Sequence, residues 1–80
     1  MSEILKFYTK TCEPCKLLTK ILATGNVAVT EIDASSSPDL VRHYGIRVVP
    51  TLVHIDSGKQ LGGLKSIIEI NEWIKTCEEA

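Results

Sequence analysis

An α/β fold is predicted for this sequence: a mixed four-stranded sheet flanked by helices, with elements in the order β-α-β-α-β-β-α. Three observations carry that expectation. Short β-branched and apolar runs alternate with stretches whose apolar residues recur at helical spacing. Glycine and proline punctuate the junctions between them. After Pro50 a strand-like run is followed by a turn and a second short run rather than by a helix, which makes part of the sheet antiparallel. The 80 residues carry 9 Lys+Arg against 10 Asp+Glu, a net charge of −1, with 44% hydrophobic and 24% charged residues. That composition describes one soluble domain over residues 1–80 and excludes a two-domain enzyme.

Taken in order, Ile4-Leu5-Lys6-Phe7-Tyr8 is apolar on both faces except at Lys6, which suits a central strand covered on two sides. Leu17, Leu18, Ile21 and Leu22 then define a helix from about Cys12 to Thr24, with Gly25-Asn26 as its left-handed stop. The β-branched run from Val27 to Ile32 follows directly, closing a right-handed βαβ unit with two parallel strands. Ser37 reads as an N-cap with Pro38 at the first helical position, and Gly45 ends that short helix after Tyr44. Thr51 to Ile55 and Gln60-Leu61-Gly62, joined through Asp56-Ser57-Gly58-Lys59, read as an antiparallel hairpin. Ser66 and Glu69 form a capping box for the last helix, whose Ile67, Ile70, Trp73, Ile74 and Cys77 lie along one stripe. Cys77 is accordingly expected in the core.

Charge and cysteine usage narrow the function. No run of like charges exceeds Glu78-Glu79, so no broad basic surface exists for nucleic acid. No apolar stretch approaches the roughly 18 residues of a membrane span, and the N-terminus lacks a basic region followed by an apolar core, so the chain is read as cytoplasmic. Three cysteines, an odd number, argue against a disulfide-stapled secreted scaffold and make the close pair Cys12 and Cys15 catalytic or metal-binding. His43 and His54 do not complete a zinc set, because there is neither a second CxxC nor a His-x₃₋₅-His pair; no metal is expected.

Cys12-Glu13-Pro14-Cys15 sits where the first strand hands over to the first helix. The Cys12 sulfur there faces free N–H groups at the positive end of a helix dipole, which favours a thiolate. Two cysteines three apart on a first helical turn can close a disulfide with little backbone movement. Pro14 fits, because a proline in that turn forfeits no intrahelical hydrogen bond. The second signal is Arg47-Val48-Val49-Pro50-Thr51, with a proline directly before a regular strand.

With Cys-x-Pro-Cys followed by Lys16, then Tyr44-Gly45-Ile46-Arg47, Val49-Pro50-Thr51 and Gly62-Gly63, the chain resembles the thioredoxin/glutaredoxin family from about Ile4 to Ile74. The resemblance implies the minimal thioredoxin fold, as glutaredoxins carry it, with sheet order 2-1-3-4. It also implies a cis Pro50 packed against the cysteine pair and a Val49 backbone that pairs with substrate. Thr11, Glu13 and Pro14 would border the substrate beside the cysteines, and Gly62 and Gly63 would do so opposite them. The implied activity is reduction of protein disulfides: Cys12 attacks, a mixed disulfide forms and Cys15 resolves it. No bound cofactor is implied, only an external reductant, thioredoxin reductase or glutathione. Ribonucleotide reductase is the substrate suggested, and a monomer is expected.

Departures from the family pattern concentrate near the cysteines. Thioredoxins usually have Trp before the first cysteine and a buried Asp six residues before it, where this chain has Thr11 and Lys6. Lys6 either pairs with Glu31 on the adjacent parallel strand, replacing the usual acid beneath the cysteines, or snorkels to water at the sheet's end. Lys10 and Lys16 are expected to favour the Cys12 thiolate and Glu13 to oppose it. A glutathione site is half present: Lys10, Val49 and Gly62-Gly63 match it, whereas Leu64, Lys65 and Ser66 do not. The rival readings are a glutathione-dependent glutaredoxin, an iron–sulfur or other metal-binding dimer, and a non-catalytic binding module on the same fold.

Overall fold

The structure, a computed structural model, describes residues 3–79. Its elements are β1 (Ile4–Tyr8), α1 (Glu13–Thr24), β2 (Thr30–Asp33), α2 (Pro38–Tyr44), β3 (Thr51–His54), β4 (Gln60–Gly62) and α3 (Ile67–Glu79). The four strands form one sheet in the order β2-β1-β3-β4. β1 pairs in parallel with β2, Lys6 opposite Glu31, and antiparallel with β3, Phe7 opposite Thr51. β3 and β4 make the expected antiparallel hairpin. Fold class and strand order are those the sequence implies.

Because side chains alternate across a strand, β1 supplies two cores. Ile4 joins Leu18, Leu22, Leu52 and Ile70 beneath α1 and α3, with Trp73 and Ile74 packed against them. Leu5 and Phe7 join Val53 on the other face, under Val41, Tyr44 and Ile46 from α2 and the turn that follows it. α1 and α3 thus cover one side of the sheet and α2 the other. Cys77 is buried on α3, at 2% exposure.

Element boundaries differ from expectation where partners run out. The strand expected from Val27 to Ile32 runs over Thr30–Asp33, because its ladder with β1 begins only at Leu5 opposite Thr30. Val27 instead finishes α1: its N–H donates to Leu22 O at 2.9 Å while Asn26 N–H donates to Ala23 O at 3.2 Å, a Schellman closure. Asn26, not Gly25, takes the left-handed conformation there, with φ 55°. Gly25 is held at φ −85°, and a Cβ on it would overlap Ile67 Cδ1 at the start of α3. Gly45 closes α2 in the same way at φ 65°, although Ser37 makes no side-chain cap bond. β3 stops at His54, since Ile55 turns its N–H to Glu3 O. At α3 the Ser66 hydroxyl oxygen accepts the Glu69 N–H at 3.2 Å, completing half of the capping box.

The register of α1 can be checked with two adjacent leucines. Leu18 is 1% exposed and Leu17 50%. Leu18→Ala should lower unfolding free energy by about 3 kcal/mol and Leu17→Ala by less than about 0.5 kcal/mol in urea denaturation. Comparable losses for both would contradict the described face.

Candidate functional site

β1 ends at Tyr8, and a tight turn, closed by Cys12 N–H donating to Thr9 O at 3.2 Å, brings the chain back into α1. Cys12 is the residue that caps the helix, with extended backbone at φ −88° and ψ 106°, rather than its first helical residue. Its sulfur accepts the Cys15 N–H at 3.1 Å, one of the amide donors that a helix start leaves free. Cys15 lies one turn in, 2% exposed, while Cys12 is half-buried at the surface. The two are joined in a disulfide across a Cα–Cα distance of 5.2 Å. Pro14 occupies the first turn, where its missing N–H loses nothing.

The Val49–Pro50 peptide is cis, as the resemblance implies. Val49 O lies 3.7 Å from Cys12 Sγ. The loop is held from both sides: Thr51 Oγ1 donates to Val48 O at 2.6 Å, and Gly63 N–H donates to Pro50 O at 2.8 Å. That second bond, with Gly62 opposite Thr51 in the ladder, sets Gly62 and Gly63 beside Pro50. Gly63 needs to be glycine for its φ of 85°; at Gly62 a Cβ would come 3.4 Å from Val48 Cγ2. Cys12, Val49 and Pro50 are thus brought together, while Thr11, Glu13 and Pro14 are exposed on the helix start.

The charged residues divide. Glu13 and Lys16 pair with each other at 3.2 Å on the open surface, 78% and 59% exposed. Lys10 is exposed and stands near Asp33. The Asp33 carboxyl is held below the ordinary carboxylate value by the Ser35 hydroxyl at 2.6 Å and the Ser35 N–H at 2.9 Å, with Lys10 adding a weaker pull. Lys6 does not snorkel: its side chain is 2% exposed, because its position is central in the sheet and α1 lies over it. Its Nζ donates to Glu31 Oε1 at 2.7 Å and also to Thr19 Oγ1. The Thr19 hydroxyl in turn donates to Cys15 O at 3.1 Å. Lys6, Cys15, Thr19 and Glu31 share the wall of a cleft of about 210 Å³. Sequence reasoning passed over Thr19, whose one signal is its place four residues after Cys15, the same helix face one turn on. Among the described residues no group of three or more His, Cys, Asp or Glu is placed to hold a metal ion.

This arrangement presents one accessible sulfur at a helix N-terminus, a second sulfur one turn below it, and the Val49 backbone carbonyl beside the first. It can carry out thiol–disulfide exchange. The comparisons agree. A family model described as Thioredoxin matches residues 2–78. The thioredoxin of Rickettsia felis is 30% identical over 80 residues, covering 89% of this chain and 76% of that protein. Chloroplastic thioredoxin z superposes with a TM-score of 0.79 at 26% identity, over 100% of this chain and 80% of that one. Desulfothioredoxin from Desulfovibrio vulgaris Hildenborough, in its reduced form, superposes at 0.81 and 26% identity, over 94% and 80% of the respective chains.

Two outcomes follow from these charges. Glu13→Gln removes a carboxylate next to the nucleophile and releases Lys16, so the reduced Cys12 thiol should titrate lower. Ultraviolet thiolate absorbance reads this, and no change or a rise contradicts it. Ser35→Ala should move Asp33 upward toward ordinary carboxylate behaviour in a carbonyl-carbon NMR titration. Because the folded value is the depressed one, Asp33 contributes stability above its unfolded value and loses it as pH falls through the folded one; Ser35→Ala should shrink that contribution.

Proposed function

This chain belongs to the thioredoxin family, and from that premise we propose that it is a cytoplasmic, monomeric electron donor that reduces protein disulfides through Cys12 and Cys15. Thiol–disulfide oxidoreductase chemistry, disulfide-bearing protein substrates and a reductase as electron source come with the family. The observation that carries the reading is the pairing of a helix-capping Cys12 with Val49 O, 3.7 Å from its sulfur. A substrate segment laid along the Val49 backbone brings its own disulfide onto that sulfur.

The Cys12 thiolate attacks one substrate sulfur, and the other leaves as a thiolate that takes a proton from solvent. Cys15, once deprotonated, attacks Cys12 Sγ. The Cys12–Cys15 bond forms, the bond to substrate breaks, and two electrons have passed to the substrate. The Cys15 N–H that donates to Cys12 Sγ stabilises the first thiolate, as does the helix start. A thioredoxin reductase is favoured over glutathione as reductant, because Leu64, Lys65 and Ser66 depart from the glutathione pattern. Ribonucleotide reductase is the substrate we place first, on the family resemblance. The cytoplasm is favoured by the odd cysteine count, with Cys77 a free, buried thiol.

Equilibration in glutathione redox buffers, followed by thiol trapping and mass spectrometry, tests this. The reading expects an intramolecular Cys12–Cys15 disulfide titrating near about −270 mV. A couple nearer about −200 to −230 mV with a glutathione adduct on Cys12 would mark a glutaredoxin-type activity instead. Absence of any reversible two-electron couple would overturn the enzyme reading and leave a binding module.

A further inference from the structure

Lys6 heads the largest side chains buried to under 2% of their surface, and the exchange chemistry above does not use it. Its neighbours Ile4, Leu5 and Phe7 show what this strand otherwise selects, an apolar residue. A buried ion pair is weak evidence for stability, since the desolvation of two charges offsets their attraction. The charge therefore calls for another use, and its surroundings supply one. Lys6 Nζ donates to Glu31 Oε1 at 2.7 Å and to the Thr19 hydroxyl, which donates to Cys15 O at 3.1 Å. Lys6 and Cys15 line the same cleft of about 210 Å³. Glu31, the carboxylate on that wall, is 49% exposed, so the cleft opens to water on its side.

Resting on the dithiol reading above, we propose that Lys6 is a positioning residue for the resolving step: its ammonium stabilises the Cys15 thiolate as that buried group ionises. Burial among apolar groups disfavours a thiolate, and a cation on the shared cleft wall counters that. In the mixed disulfide the Cys15 thiol passes its proton to water in the cleft. The thiolate attacks Cys12 Sγ, the Cys12–substrate bond breaks, and the departing substrate thiolate is protonated from solvent. Glu31 holds the ammonium in place in the oxidised state and competes with the thiolate for it in the reduced one. The other charged and titratable groups facing the cleft are Tyr8 from β1, Lys10 from the following turn, and Lys16 from α1, which is tied to Glu13.

Two variants of the full chain, Lys6→Met and Glu31→Gln, separate this from a structural role. The readouts are a β-carbon NMR titration of both reduced cysteines and the pH profile of the resolving step in stopped flow. Lys6→Met should move the Cys15 titration and the resolution profile upward by about one pH unit or more, with roughly tenfold slower resolution at neutral pH. Cys12 should move much less. Glu31→Gln removes the carboxylate that competes for the ammonium, so it should move Cys15 downward. Should Lys6→Met fail to fold, the half-exposed Glu31→Gln variant decides alone. Cys15 unmoved, or moved by both variants in one direction, overturns the proposal. These failures leave the Cys12–Cys15 couple reversible, which distinguishes them from failure of the dithiol reading.

Discussion

The molecule depends on β1 being laddered along both of its edges. It pairs with β2 from Leu5 to Tyr8 and with β3 from Ile4 to Phe7, so its three central residues, Leu5, Lys6 and Phe7, are committed twice. Side chains alternate on such a strand. Leu5 and Phe7 therefore anchor one core and Ile4 the other, and the helices settle on whichever side their apolar stripe can be buried. The same strand delivers the chain to the turn before Cys12. A site that needs a sulfur at the start of a helix is thus hung on the most constrained element of the sheet.

Around that sulfur the work is done mainly by backbone. A free N–H at the helix start donates to Cys12 Sγ, the Val49 carbonyl stands beside it, and Gly63 N–H fastens the proline loop. Backbone groups are fixed by the fold and need no side-chain ordering at the moment of reaction, which is what electrostatic preorganisation requires. Side chains at the rim, Thr11, Glu13 and Lys16, remain exposed and tune rather than build the site.

The ion pairs show how burial changes the meaning of a charge. Glu13 with Lys16 and Asp39 with Arg42 are i,i+3 pairs on open helix surface, where solvent screening leaves them worth at most about 1 kcal/mol. Lys6 with Glu31 spans two strands, with one partner wholly buried. Desolvation there makes the pair costly to create and costly to break on one side only. Its place on the cleft wall that it shares with Cys15 makes it a local electrostatic feature of the site rather than a staple of the sheet.

The element order, the parallel and antiparallel pairings and the Cys12–Cys15 site were legible in the sequence, because periodicity, turn residues and the position of a CxxC at a strand–helix junction are local signals. The boundaries were less so: the start of β2 is decided by where β1 stops offering partners, and after α1 the left-handed residue is Asn26, while Gly25 is the residue against which Ile67 leaves no room for a Cβ. Lys6 is the clearest division. The sequence alone left it to choose between water and Glu31; a central place in the sheet, with α1 above it, buried the side chain against Glu31 and Thr19, on a cleft wall shared with Cys15. Local chemistry determined which residues could form helices, strands and a dithiol. Which groups are buried together depends on contacts between segments distant in the chain, and that only the tertiary structure decided.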